Sequence, residues 1–328
     1  MDFRTRVEQP QDGVQMHLED TMMLFGSCFS EHIGNLLSTH KFLCDVNPFG
    51  VLYNPSSISK ALLRLCDPQP YQPDDLFFAN GLWNSWMHHS SFSAPEISLC
   101  LQQINDRLSQ AARSIRNARF IFITFGSAWV YRLRDTHECV ANCHKQPDRL
   151  FDRYLLSVSE IVSDFQKMIE VVRGFNPSVH FILTVSPIRH IKDGLHGNQI
   201  SKSTLLLAIE ELRRRVDGIT YFPAYEIMMD ELRDYRFYAD DMLHPSSLAI
   251  QYIWECFSAV FFDSGTKAFL REWQEVGKRL QHKPFNPQSD TYRRFLYDTI
   301  QILNKLQEEH PYLNFQKEIE QCQTLSKV

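Results

Sequence analysis

Short, uninterrupted apolar runs alternate with amphipathic stretches along most of this chain. Thr21 to Phe29, Arg119 to Phe125, Val179 to Val185 and Ile219 to Phe222 have strand length and end at glycine, serine or proline. Runs of this kind, without polar alternation, predict strands buried on both faces. Between them lie helical stretches. Ser30 to His40 is one, with Ser30 as its predicted N-cap. Ser56 or Ser57 caps a second, which carries Ile58, Leu62, Leu63 and Leu65. A long helix is predicted from Pro95 to Asn117. Ser157 to Gly174 places Ile161, Phe165, Ile169 and Val172 on one face. Further helices are predicted over Lys202 to Val216 and Ala224 to Leu232. Leu76-Phe77-Phe78 and Leu82-Trp83 flank Asn80-Gly81, a hairpin signal. From Ser246 onward the pattern is helical, with Pro245 at the first position of a helix and a break at Lys283 to Pro287. Alternating strands and helices predict an α/β fold with a parallel sheet covered on both faces. It spans residues 21–263, after a polar surface leader (1–20) and before a helical C-terminal extension (264–328), which reads as an appendage.

Composition narrows the function. The chain has 328 residues, of which 44% are hydrophobic and 22% charged, enough for one large core or two smaller ones. A formal net charge of −5 without a long basic run argues against a nucleic-acid partner. No apolar run is long enough for a membrane span, and the N-terminus lacks an apolar signal core. Eight scattered cysteines then read as free thiols in a reducing cytoplasm. No glycine-rich phosphate cradle is present, so no nucleotide cofactor is expected, and no Gly-x-Ser-x-Gly elbow is present.

In parallel α/β sheets ligands sit beyond the carboxyl ends of the strands. Gly26-Ser27-Cys28 lies at such an end, on a turn leading into a helix N-terminus. Unpaired amides and the helix dipole there favour a thiolate and an oxyanion. Gly126-Ser127, Ser186-Pro187 and the run Asp241 to His244 follow later strands. Asp-x-x-His can set a carboxylate on an imidazole and leave the other nitrogen free. It occurs at Asp193–His196 and again at Asp241–His244; the second, pinned by Pro245, is preferred over the first, which lies in a predicted polar loop. Ligand types at His137, Cys139, Cys143 and His144 suit zinc, but the spacing does not, and no metal is expected. Cys139 reads as a packed thiol, His144 as a pocket residue, and His88-His89 as loop histidines. Arg189 and His190, just past a strand end, are candidates to hold an anionic substrate group.

Gly26-Ser27-Cys28-Phe29-Ser30 resembles the signature of the GSCFA family, with Ser30 in place of the usual alanine. The likeness continues through Asn47 to Pro55, Ala141 to Lys145, Ser186 to His190 and Asp241 to Ser246, spanning about residues 21 to 260. The family is similar to the SGNH/GDSL hydrolases, which implies a three-layer α/β/α, flavodoxin-like sheet. The resemblance implies Cys28 as nucleophile with Ser27 as the alternative, Gly50 as an oxyanion donor, and Asp241 with His244 completing a triad. Gly126-Ser127-Ala128 aligns with a Gly-x-Asn block but has alanine at the asparagine position, leaving Asn142 or Asn54 as substitutes. The activity implied is hydrolysis or transfer of an acyl group from a small-molecule or glycan ester, or from a thioester, without a cofactor. Two alternatives stand beside it: a degenerate member that binds a glycan or acyl ligand without turnover, and an interaction protein that uses its helical C-terminal segment.

Overall fold

A computed structural model describes residues 4–326. In chain order the elements are β1 (Thr21–Gly26), α1 (Cys28–Thr39), β2 (Leu43–Val46), α2 (Pro55–Cys66), β3 (Leu76–Ala79), β4 (Leu82–Ser85) and α3 (Ile97–Asn117). There follow β5 (Phe120–Phe125), β6 (Trp129–Leu133), β7 (Cys139–Val140), β8 (Phe151–Leu155), α4 (Val158–Phe175), β9 (His180–Val185) and α5 (Gly194–Arg215). The chain ends with β10 (Ile219–Tyr221), α6 (Ala224–Glu226), α7 (Ser247–Phe261), α8 (Ser264–Leu280), α9 (Asp290–Glu309) and α10 (Gln316–Ser326).

Five parallel strands form the central sheet in the order β10-β9-β5-β1-β2. Ranked along the chain, that is 2-1-3-4-5, the flavodoxin-like order, whose switch point lies between β1 and β5. The strand pleat divides the interior into two cores. Met23 and Phe25 of β1, with Ile121 and Ile123 of β5, face α2, α3, α4 and α5. Met22 and Leu24, with Phe122 and Ile182, face α1, α7, α8 and α9. Both faces are therefore covered, which is why the strands read as unbroken apolar runs. Fully buried rings such as Phe25, Phe181 and Phe257 each stabilise the fold by on the order of 2 kcal/mol.

Three local expectations are corrected. Ser27, not Ser30, caps α1: its Oγ accepts the Phe29 amide at 3.3 Å. Ser30 is buried instead, donating to the Phe25 carbonyl and to Thr124 Oγ1. α5 starts at Gly194, well before Lys202, because Asn198, Ser201 and Lys202 are held in the interior and override the weak helix propensity of Gly194 and Gly197. α7 is capped by Ser246, so Pro245 lies one residue before the cap. The residues after β5 fold as a three-stranded antiparallel sheet, β7-β6-β8.

The leader does not lie wholly on the surface. Met16 and Leu18 are buried in the second core, and the Met16 amide donates to the Phe261 carbonyl at 2.6 Å. Residues 1–3 lie outside the described part. α8 and α9 share that core with α1, and Trp273 Nε1 donates to the Thr39 carbonyl at 2.8 Å. No helix among the described residues is long and apolar enough to cross a membrane.

Candidate active site

The turn after β1 requires glycine. Gly26 has φ +143°, and a Cβ there would lie 2.3 Å from the Thr124 carbonyl oxygen on β5. Its amide donates to Asn47 Oδ1 at 3.0 Å, and its carbonyl accepts the Leu52 amide at 2.9 Å. The turn then divides the two candidate nucleophiles. Ser27 is fully buried, with its hydroxyl engaged as helix cap and as donor to Ser186 Oγ at 3.1 Å. Cys28, the first residue of α1, is half-buried and faces a cavity of about 850 Å³ at the carboxyl edge of the sheet. Burial pushes its thiol above the ordinary cysteine range; hydrogen bonds from its own amide and that of Phe29 pull it down but do not prevail. The thiolate expected from the helix N-terminus is therefore not the resting state, and for the sulfur to attack as a nucleophile a base would have to take its proton.

His244 lines the same cavity. Its Nδ1 lies 2.5 Å from Asp241 Oδ2, while Asp241 Oδ1 accepts the Leu243 and His244 amides at 2.9 Å each. Met242 turns the corner with φ +59°. These hydrogen bonds, those from the two amides foremost, hold the Asp241 carboxyl down at about 2. Nδ1 is thus oriented by a carboxylate and Nε2 is left for chemistry, the arrangement that a general base requires. In the other Asp-x-x-His sequence, Asp193 forms a bidentate ion pair with Arg153 instead.

Tyr53 and Asn54 form a third side of the site. The amides of Gly126 and Ser127 both donate to the Tyr53 carbonyl, at 2.8 and 2.9 Å, and so tether this loop to the end of β5. The Ser127 hydroxyl accepts the Trp129 amide and contacts Ser201 Oγ. Ala128 is fully buried. Asn54 caps α2: its Oδ1 accepts the Ser57 amide at 2.8 Å. With the amide oxygen fixed, Asn54 Nδ2 has no partner among the described residues, and Asn54 lines the cavity with Cys28. Asn142, also lining the cavity, repeats the device, accepting the His144 amide at 2.8 Å. Gly50 is a correction. Its amide is engaged by the Asn47 carbonyl at 2.7 Å, so it offers no free donor. Its glycine identity has another cause: φ is +76°, and a Cβ would lie 2.2 Å from His89 Cβ.

The remaining candidates are placed as follows. His144 is buried in the cavity wall, with Nε2 at 2.8 Å from the Ser85 carbonyl. Arg189 and His190 line the cavity, and burial, ahead of the nearby charges of Lys202 and His244, lowers His190 to about 4. His88 is packed among Phe49, Tyr71 and Phe92, while His89 reaches the cavity. Cys139 is buried beside the Tyr154 hydroxyl. Lys202 was not foreseen. It is buried, donates to the Gly126 and Ser186 carbonyls at 2.7 and 2.8 Å, and acts electrostatically on Cys28. Burial lowers it to about 7. The signal was present in the sequence: Lys202, Leu205, Ile209 and Leu212 share the inward face of α5.

A doubly wound α/β protein is thus defined, with a cysteine, a histidine–aspartate pair and a free amide donor facing one cavity at the ends of its strands. The chain belongs to the GSCFA family: the model of that family matches residues 21–257, and that of the GSCFA domain protein C-terminal domain matches residues 273–327. No curated protein matches the chain. Among solved structures it is similar to a Streptococcus pneumonia protein provisionally described as a platelet activating factor (13% identity, 74% of this chain and 83% of that one, TM-score 0.37). It is also similar to a carbohydrate esterase family 3 protein from Talaromyces cellulolyticus (9%, 77% and 99%, 0.35). A third is an acetyl xylan esterase from Butyrivibrio proteoclasticus (9%, 80% and 66%, 0.34). Likeness at this level carries no inference about activity.

Proposed function

We propose that this protein is an acyl hydrolase or acyltransferase of the SGNH/GDSL type, working through a Cys28–His244–Asp241 triad. The observation that carries the reading is the 2.5 Å contact between Asp241 and His244 on the cavity that Cys28 lines. Because the resting thiol is neutral, His244 Nε2 takes the Cys28 proton as sulfur attacks the acyl carbon. A C–S bond forms, and the carbonyl π pair moves to oxygen. The Asn54 Nδ2 and Cys28 amides stabilise that oxyanion, about 3 kcal/mol for each donor. Collapse breaks the bond to the leaving oxygen or sulfur, which takes the proton back from His244. Water, or a second substrate, then resolves the thioester. Asp241 stabilises the imidazolium and keeps its tautomer without taking the proton.

The test is intact mass after exposure to activated esters and thioesters, with Cys28→Ala, Ser27→Ala and His244→Ala alongside the unaltered protein. An acyl adduct absent from Cys28→Ala and His244→Ala but present on Ser27→Ala supports the reading. An adduct that survives Cys28→Ala sinks it, as does none on any ester.

A further inference from the structure

The chain as a whole is acidic, yet its cavity is basic. Among the described residues, Lys145, Arg153, Arg189 and Lys192 line it, against a single carboxylate, Asp193. Asp193 is committed to Arg153, whose guanidinium also lies over the Trp129 ring at 4.4 Å and the Tyr131 ring at 5.3 Å. That group forms a neutral wall. Among the described residues, the other three cations have no carboxylate in contact within the cavity.

Lys145 is exposed and makes no hydrogen bond or ion pair with a described residue. It follows His144 in two consecutive left-handed conformations, φ +47° and +55°, which L-residues avoid. The strain is maintained by the His144 bonds to Ser85 and Asn142, and it turns Lys145 along the cavity wall. Lys192 donates to the Tyr131 hydroxyl at 2.5 Å, and the nearest carboxylate, on exposed Asp148, is 4.0 Å away. Arg189, beside the triad, keeps a buried Nε without a hydrogen-bond partner among the described residues.

Resting on the acyl-transfer reading above, we propose that the substrate carries a second, anionic group, a carboxylate or phosphate. Lys145 and Lys192 recognise that group while the ester lies at Cys28, with Arg189 extending the positive field to the reacting end. A ligand with one anionic pole is thereby oriented as well as attracted.

The experiment compares kcat/KM of the full chain on three acetate esters: 4-acetoxybenzoate, 4-acetoxyphenyl phosphate and the neutral methyl 4-acetoxybenzoate. One anionic ester is expected to be preferred over the neutral one by about tenfold or more, and the preference should fall with added salt. The Lys145→Gln/Lys192→Gln double variant should lower the anionic-to-neutral ratio by about tenfold, whereas Lys305→Gln, on α9 outside the cavity, should not change it. Which anion is favoured separates carboxylate from phosphate. Ratios near unity for both anions, or a preference that survives the double variant, overturn the proposal. If no ester is turned over, the acyl-transfer reading fails by itself. Calorimetry of 4-acetoxybenzoate and 4-acetoxyphenyl phosphate on Cys28→Ala then decides the anion site: binding abolished by the double variant upholds it, and no binding of either anion overturns it.

Discussion

Asp241 and His244 are joined twice: Oδ2 meets the imidazole Nδ1 at 2.5 Å, and Oδ1 accepts the His244 amide at 2.9 Å. One carboxylate thus builds the turn and orients the imidazole. Asp241→Asn separates the two jobs. The amide oxygen still accepts the Leu243 and His244 amides, but the NH2 group cannot accept from Nδ1–H, so the wrong tautomer is favoured. Turnover of a reactive ester should fall by about 10³–10⁴-fold with little change in Tm. The carboxyl is held at about 2, below its unfolded value, so its contribution to the turn is present above the ordinary Asp range and is lost only as pH falls toward about 2.

The state of Cys28 predicts its alkylation profile. Burial raises the thiol, so the reactive thiolate should appear in free enzyme with an inflection above the ordinary cysteine range. Iodoacetamide labelling followed by mass across pH checks this. An inflection near neutrality would mean a preformed thiolate–imidazolium pair and would remove the need for base catalysis in the first step.

The main sheet was legible because strands buried on both faces leave continuous apolar runs, and the order of elements then places Cys28, Ser127 and His244 at one edge. The β6–β8 sheet was not, since its strands are short and half-buried: Asp152, Arg153 and Tyr154 in β8 give no apolar run. Gly50 was misassigned because sequence shows a glycine but not that its amide is bonded to Asn47. Lys202 was overlooked because lysine on a helix reads as solvated, although its position on the apolar face of α5 indicates burial.

Lys202 gives a prediction about stability. Its value is lowered in the fold, so the unfolded chain binds more protons between about pH 7 and the ordinary lysine value, and stability rises with pH across that window. Between about pH 7 and pH 9 the gain from this group is on the order of 2 kcal/mol. Urea denaturation at the two pH values should show this slope in the unaltered protein and its loss in Lys202→Met. The variant also leaves the Gly126 and Ser186 carbonyls without their donor. Because Gly126 tethers Tyr53, Cys28 labelling should change along with stability.

Asn54 allows cap and catalysis to be told apart. Its Oδ1 stabilises α2 and its Nδ2 is free on the cavity, so the two atoms predict different losses. Asn54→Asp retains a capping oxygen and removes the donor: Tm should hold while kcat falls by about 10²–10³-fold. Asn54→Ala removes both, and should lose a similar factor in kcat plus about 1 kcal/mol of stability. Equal activity loss with unequal stability loss would identify Nδ2 as the oxyanion donor that Ala128 cannot supply. If Asn54→Asp turns over ester at the unaltered rate, the donor is Asn142, whose amide oxygen is fixed in the same way by His144.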